Sequence, residues 1–115
     1  MHMVKVVNKY HHLETKSDVY IGRGSVFGNP FTHLESQFPD LIKCETRDEA
    51  IDNYKEYAEE LMLTANEYSE AINKLRQRNK TENLCLVCYC KSPKMDVRCH
   101  GDIIKQLIEE HDRVH

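Results

Sequence analysis

Apolar residues along the chain recur at two different spacings, and the spacings predict its elements. Val4-Lys5-Val6-Val7 and Val19-Tyr20-Ile21 are short runs rich in β-branched residues, separated by polar residues 8–18. Both read as strands. Gly22, Gly24, Gly28 and Pro30 then crowd together, which predicts an irregular loop. Residues 31–45 read as loop with at most one helical turn, because Pro39 and Asp40 interrupt any period. From Ile51 the apolar positions Tyr54, Ala58, Leu61, Ala65, Tyr68, Ile72 and Leu75 alternate spacings of three and four, the mark of a helical face.

Thr46-Arg47-Asp48-Glu49 is a capping box that starts this helix. Thr64-Ala65-Asn66-Glu67 has the same form and predicts a restart, so two helices are favoured over one. Leu84-Cys85-Leu86-Val87-Cys88-Tyr89-Cys90 is nearly all apolar, as in a strand buried on both faces at the centre of a parallel sheet. A last helix follows from about Gly101, with Ile103, Ile104, Leu107 and Ile108 on one face. Strand, strand, helices, strand, helix predicts an α/β fold. The expected form is one minimal, Rossmann-like domain over residues 1–115: a small, open, mainly parallel sheet with flanking helices. Ligands of such sheets sit beyond the carboxyl ends of the strands. Loops 22–30 and 91–100 leave two such ends.

Composition narrows the function classes. The 115 residues are 40% apolar and 30% charged, as in an ordinary folded domain. A net charge of −3 argues against a duplex nucleic acid partner but leaves room for a locally positive pocket. No apolar run approaches the roughly 20 residues of a membrane span, and no signal-peptide core is visible. The expected location is cytoplasmic, with no membrane partner. Five cysteines, an odd number without a secretion signal, read as reduced thiols. Assembly into a homo-oligomer is left open.

Two stretches carry candidate chemistry. In the first loop, Gly22, Gly24 and Gly28 let backbone N–H groups approach an anion. Arg23 suits a bidentate phosphate contact, Ser25 adds a hydroxyl, and Asn29 offers a donor and an acceptor. The competing reading is a turn that only lets the strand leave the sheet. Neither a Walker A loop nor a G-x-G-x-x-G fingerprint is present. In the second stretch, Cys99-His100-Gly101-Asp102 opens a helix whose free N–H groups attract anions. Gly101 allows close approach there, and Cys90 ends the preceding strand nearby. Cys99, His100 and Asp102 are the catalytic candidates. Neighbouring side chains at a helix start are expected to diverge, however, and Asp102 has an alternative role as a helix cap. Cys88, Cys90, Cys99 and His100 invite a zinc reading, disfavoured because alternate strand positions chelate poorly. No metal and no cofactor are expected. Arg47 and Tyr54, two helical turns apart, complete the expected ligand-binding set.

These residues also resemble a known family. Val19-Tyr20-Ile21-Gly22-Arg23-Gly24-Ser25 with Phe27-Gly28-Asn29-Pro30-Phe31 is similar to the opening motif of the DUF4326 family. Arg47, Glu49, Ala50, Ile51 and Tyr54 resemble its central helix. Leu86-Val87-Cys88-Tyr89-Cys90 followed by Cys99-His100-Gly101-Asp102 resembles its closing motif. Tyr89 stands where the family usually has Trp, and the loop from Lys91 to Arg98 is longer than usual. The resemblance spans about residues 19–109 and implies a shared pocket architecture without a named reaction. The family's distribution in phages and bacteria implies a phage protein acting against host defence. The resulting expectation is a domain that binds, and sequesters, a nucleotide or nucleotide-derived signal. The alternative is a small enzyme that hydrolyses a glycosidic or phosphate bond of such a molecule.

Overall fold

Alternation along each strand decides which face meets the helices. The computed structural model describes residues 3–8, 15–22, 25–32, 41–88 and 99–114, with side chains in the last helix as far as residue 109. Among these residues the elements are β1 (Val4–Asn8), β2 (Asp18–Tyr20), β3 (Phe31–Thr32), β4 (Ile42–Lys43), α1 (Arg47–Thr64), α2 (Asn66–Arg78), β5 (Leu84–Cys88) and α3 (His100–Val114). Three strands form a sheet in the order β1-β5-β2, and both pairings are parallel. Parallel neighbours need a crossover, and α1 with α2 supplies it between β2 and β5. The result is the small open parallel sheet with flanking helices that the element order predicts. No described helix is long and apolar enough to cross a membrane.

The apolar strand β5 takes the centre. Val6 and Val19 flank Leu86 from either side, so these three side chains share one face. Val4, Leu84, Leu86 and Cys88 on that face join a single core cluster with Ile51, Ala58, Ile72, Leu75, Ile104 and Ile108 from the three helices. Each buried Val, Leu or Ile among them contributes roughly 1.5–3 kcal/mol. The opposite face differs. Val87 is buried there, but Cys85 is half-buried and Lys5 and Tyr20 are exposed, and none of them belongs to the core cluster. β5 is thus the central, buried strand expected, fully enclosed on the helix-covered face and with Val87 buried and Cys85 half-buried on the other.

Two local expectations change. The stretch 31–45 contains two short strands rather than a helical turn among its described residues. Ile42 N–H donates to Pro30 O and Cys44 N–H to Thr32 O, each at 2.7 Å. Pro39 and Asp40 lie outside the described residues. The helical region does break in two, but not through the second capping box. The Thr64 hydroxyl donates to Glu60 O at 2.9 Å inside α1, and Ala65 is the N-cap of α2 without a side-chain bond. The first box forms with a shift. Thr46 Oγ1 accepts from Glu49 N–H at 3.1 Å, while the Glu49 carboxylate accepts from Glu45 N–H at 3.3 Å. At the far end, the Arg76 guanidinium donates twice to Leu107 O, at 3.0 and 2.9 Å, and ties α2 to α3.

Candidate functional site

The β2–β5 ladder sets the start of the Gly-rich loop beside the end of β5. Tyr20 pairs with Val87, and Ile21 N–H donates to Val87 O at 3.0 Å. Loop 22–30 therefore begins beside the end of β5. Its own polar groups fold it. Gly22 O accepts from Ser25 N–H at 3.2 Å and from the Ser25 hydroxyl at 2.6 Å. Gly28 N–H donates to Ser25 O at 3.1 Å, and Asn29 Oδ1 accepts from Phe31 N–H at 2.8 Å, an Asx turn. Ser25, Gly28 and Asn29 are half-buried. Arg23, Gly24 and Cys90 lie outside the described residues. At Gly22 the missing side chain is replaced by the Tyr20 ring, whose hydroxyl a Cβ would strike.

Two buried side chains hold this loop from beneath. The Tyr54 hydroxyl donates to Phe27 O at 2.8 Å and lies 2.9 Å from the Tyr68 hydroxyl. Its one proton goes to the carbonyl, so Tyr68 is the donor of the second bond. His100 Nε2 lies 2.6 Å from Ile21 O. A carbonyl only accepts, so Nε2 carries the proton. The imidazole also meets Tyr54 edge-on, with ring centroids 5.3 Å apart. Burial, reinforced by the neighbouring Tyr68, pushes the Tyr54 phenol far above its ordinary range. Tyr68 is pushed up to about 12, chiefly by burial and against its bond to Tyr54. Both phenols are neutral donors at physiological pH. Phe27 against Tyr68 and Phe31 against Tyr57 extend the cluster, each pair edge-on at 5.9 Å.

The start of α3 is capped by sulfur. Gly101 N–H donates to Cys99 Sγ at 3.4 Å, and the Asp102 carboxylate accepts from Cys99 N–H at 3.0 Å. This is the reciprocal logic of a capping box, with a thiol at the N-cap and Asp at the third helical position. Asp102 thus fills the cap role that competed with catalysis. Cys99 Sγ also lies 3.6 Å from His100 Nδ1 and 3.2 Å from Cys88 Sγ. The expected divergence of Cys99 and His100 is corrected. Cys99 precedes the helix, so the helical step does not fix its direction, and its sulfur folds back over the first turn. Gly101 gives close approach to the sheet. A Cβ there would stand 2.7 Å from Val6 Cγ1 and 2.8 Å from Ile21 Cδ1.

The expected site residues therefore separate by depth. Ser25, Gly28 and Asn29 sit half-buried in the loop and Gly22 is buried at its start, while Tyr54, Cys99, His100 and Gly101 are buried. Arg47 is half-exposed in the first turn of α1, and Tyr54 two turns on is fully enclosed. Seven residues apart, the two lie on one side of α1 but at different depths. Among the described residues, no group of three His, Cys, Asp or Glu side chains is arranged to hold a metal ion. Tyr68 and the Phe27 carbonyl escape the sequence reading. Tyr68 is legible only as a buried position in phase with Ile72 and Leu75, not as a hydroxyl partner.

Comparison with known proteins adds one finding. Residues 4–110 match the model of a family described as a domain of unknown function, DUF4326. No curated protein and no solved structure matches. The match runs from β1 into α3 and takes in both loops of the candidate site, so the chain belongs to the DUF4326 family.

Proposed function

We propose that this protein binds a small anionic ligand, a nucleotide or nucleotide-derived signal, where loop 22–30 meets the start of α3. The observation that carries the reading is the His100–Ile21 bond of 2.6 Å. It fastens the first turn of α3 to the carbonyl that opens the Gly-rich loop, at the carboxyl ends of two parallel strands. Glycine-rich turns favour anions, and the dipole of α3 adds to this although Cys99 and Asp102 already cap its first N–H groups. Tyr54 and His100 serve the site by holding the loop, which lowers the ordering cost of binding. Ser25, Asn29, Arg23 and Arg47 are the groups offered to the ligand. Sequestration of a host signalling nucleotide by a phage protein is the biological form of this reading.

The second reading, hydrolysis of a nucleotide-like substrate, draws on the thiol–imidazole contact of 3.6 Å between Cys99 and His100. Burial of both residues and the capping role of Asp102 weigh against it. One experiment tests both. Mono-, di- and cyclic nucleotides and ADP-ribose-type molecules are titrated calorimetrically, then recovered after denaturation. The binder reading expects a ligand returned unchanged, and hydrolysis expects an altered one. Arg23→Ala should weaken binding by about 10- to 100-fold, the loss of roughly 1.5–3 kcal/mol from a charge-assisted bond. If nothing in the panel binds, the ligand class is wrong. If Arg23→Ala leaves affinity intact, the site is wrong.

A further inference from the structure

Two cysteine sulfurs stand in contact, and neither reading uses them as a pair. Cys88 ends β5 and Cys99 caps α3, and their sulfurs lie 3.2 Å apart. Both residues are thiols, and both are fully buried. A disulfide needs a sulfur separation of about 2.05 Å, so closure requires a movement of roughly 1 Å. The other two described cysteines are placed differently. Cys44 receives the Asn53 amide on its sulfur at 3.5 Å, and Cys85 points to the opposite face of β5.

The imidazole beside the pair is set up to move a proton. His100 Nε2–H is committed to Ile21 O, which leaves Nδ1 as an acceptor 3.6 Å from Cys99 Sγ. Gly101 N–H points at the same sulfur from 3.4 Å and favours the charge that builds there. We propose that Cys88 and Cys99 form an oxidisable pair that closes reversibly to a disulfide, joining the end of β5 covalently to the first turn of α3. The proposal does not depend on the ligand reading.

Hydrogen peroxide is the oxidant class that fits, because it is small enough to reach a buried pair through local opening. Cys99 Sγ gives its proton to His100 Nδ1 and attacks one peroxide oxygen. The O–O bond breaks, the departing hydroxide takes the proton from Nδ1, and Cys99 becomes a sulfenic acid. Cys88 Sγ then attacks the Cys99 sulfur. The S–O bond breaks, and hydroxide leaves with the Cys88 proton as a second water. Two thiols lose two electrons, and one peroxide becomes two waters. A thiol reductant of the dithiothreitol type reverses the change.

The test uses the full chain, reduced, freed of reductant and exposed to one equivalent of hydrogen peroxide. Remaining thiols are alkylated and the peptides mapped by mass spectrometry. The expected result is one cross-link between the peptides holding Cys88 and Cys99, removed by dithiothreitol, with Cys44 and Cys85 fully alkylated. The melting temperature of the oxidised protein should exceed that of the reduced protein. Cys99→Ser retains an N-cap acceptor, should stay folded by circular dichroism, and should leave Cys88 open to alkylation. A cross-link through Cys85 or Cys90 instead, or oxidation of Cys99 beyond sulfenic acid with no cross-link, would overturn the proposal. So would stoichiometric zinc in the reduced protein that is released as the thiols are lost. Mapping of the wild-type chain decides the matter even if a variant fails to fold.

Discussion

Tyr54 shows how much one buried hydroxyl can organise. It donates to Phe27 O and accepts from Tyr68, so one atom joins the loop, α1 and α2. Tyr54→Phe keeps the ring and strands a buried carbonyl. The expected cost is about 1–3 kcal/mol, read from urea denaturation. Tyr68→Phe should cost less, since Tyr54 still reaches Phe27 O. The same pair predicts an alkaline limit. Both folded phenols ionise above the ordinary 10.0, Tyr68 at about 12. Below pH 10 neither folded nor unfolded chain has lost these protons, and stability is fully present. Above it the unfolded chain releases them first, so stability falls as pH rises through the folded values. The urea midpoint should decline with increasing alkalinity, more shallowly in Tyr54→Phe. An unchanged slope in Tyr54→Phe would remove the pair from this role.

Helix ends offer opposite tests of packing and capping. Gly101 lies in the first turn of α3, where Ala would be favoured by about 1 kcal/mol on helix propensity. Packing outweighs that. The added Cβ would meet Val6 Cγ1 at 2.7 Å and Ile21 Cδ1 at 2.8 Å. Val6 is β-branched on a strand and Ile21 is fully buried, so neither yields easily. Gly101→Ala should be net destabilising by about 1–3 kcal/mol, the usual range for overpacking. A stabilised variant would mean that α3 can shift off the sheet. Ala65 is the reverse case. It already has extended backbone at the N-cap of α2 but no side-chain acceptor. Ala65→Ser should raise stability by about 0.5–2 kcal/mol, visible as a higher melting temperature. No gain there would show that the α1–α2 junction holds the N–H groups in another way.

The sheet as a whole depends on its first strand. Val4 pairs with Leu84, and Met3 N–H donates to Asn83 Oδ1 across 80 residues of chain. Without β1, the central strand loses one neighbour and the core loses Val4 and Val6. The buried Val4 contributes roughly 1.5–3 kcal/mol and the partly buried Val6 less, against a total stability of about 5–15 kcal/mol for a domain. A chain beginning at residue 9 should therefore lack a cooperative urea transition. A truncated chain that unfolds cooperatively at the full-length midpoint would contradict this. Amide exchange in the intact protein should be slowest in β5, the strand paired on both sides, and faster in the two-residue pair of β3 and β4.

Legibility in the sequence follows the range of each interaction. Strands β1, β2 and β5, the helical face from Ile51 to Leu75, the Thr46 cap and the central place of β5 are readable, because periodicity and capping act within a few residues. The α/β order follows from them. The short pair β3–β4 is not readable, since two residues carry no period. The Thr64 box misleads because a hydroxyl near the end of a helix can bond back to the preceding turn as well as cap the next. At the candidate site, residue types and loops are visible from the chain alone. Depth is not. That Tyr54, His100 and Gly101 are buried beside the loop is decided by tertiary packing. The contacts that decide it join residues 27 to 54, 21 to 100 and 88 to 99. Local sequence sets what each side chain can donate or accept. Only the folded chain, by closing those long loops, chooses the partner.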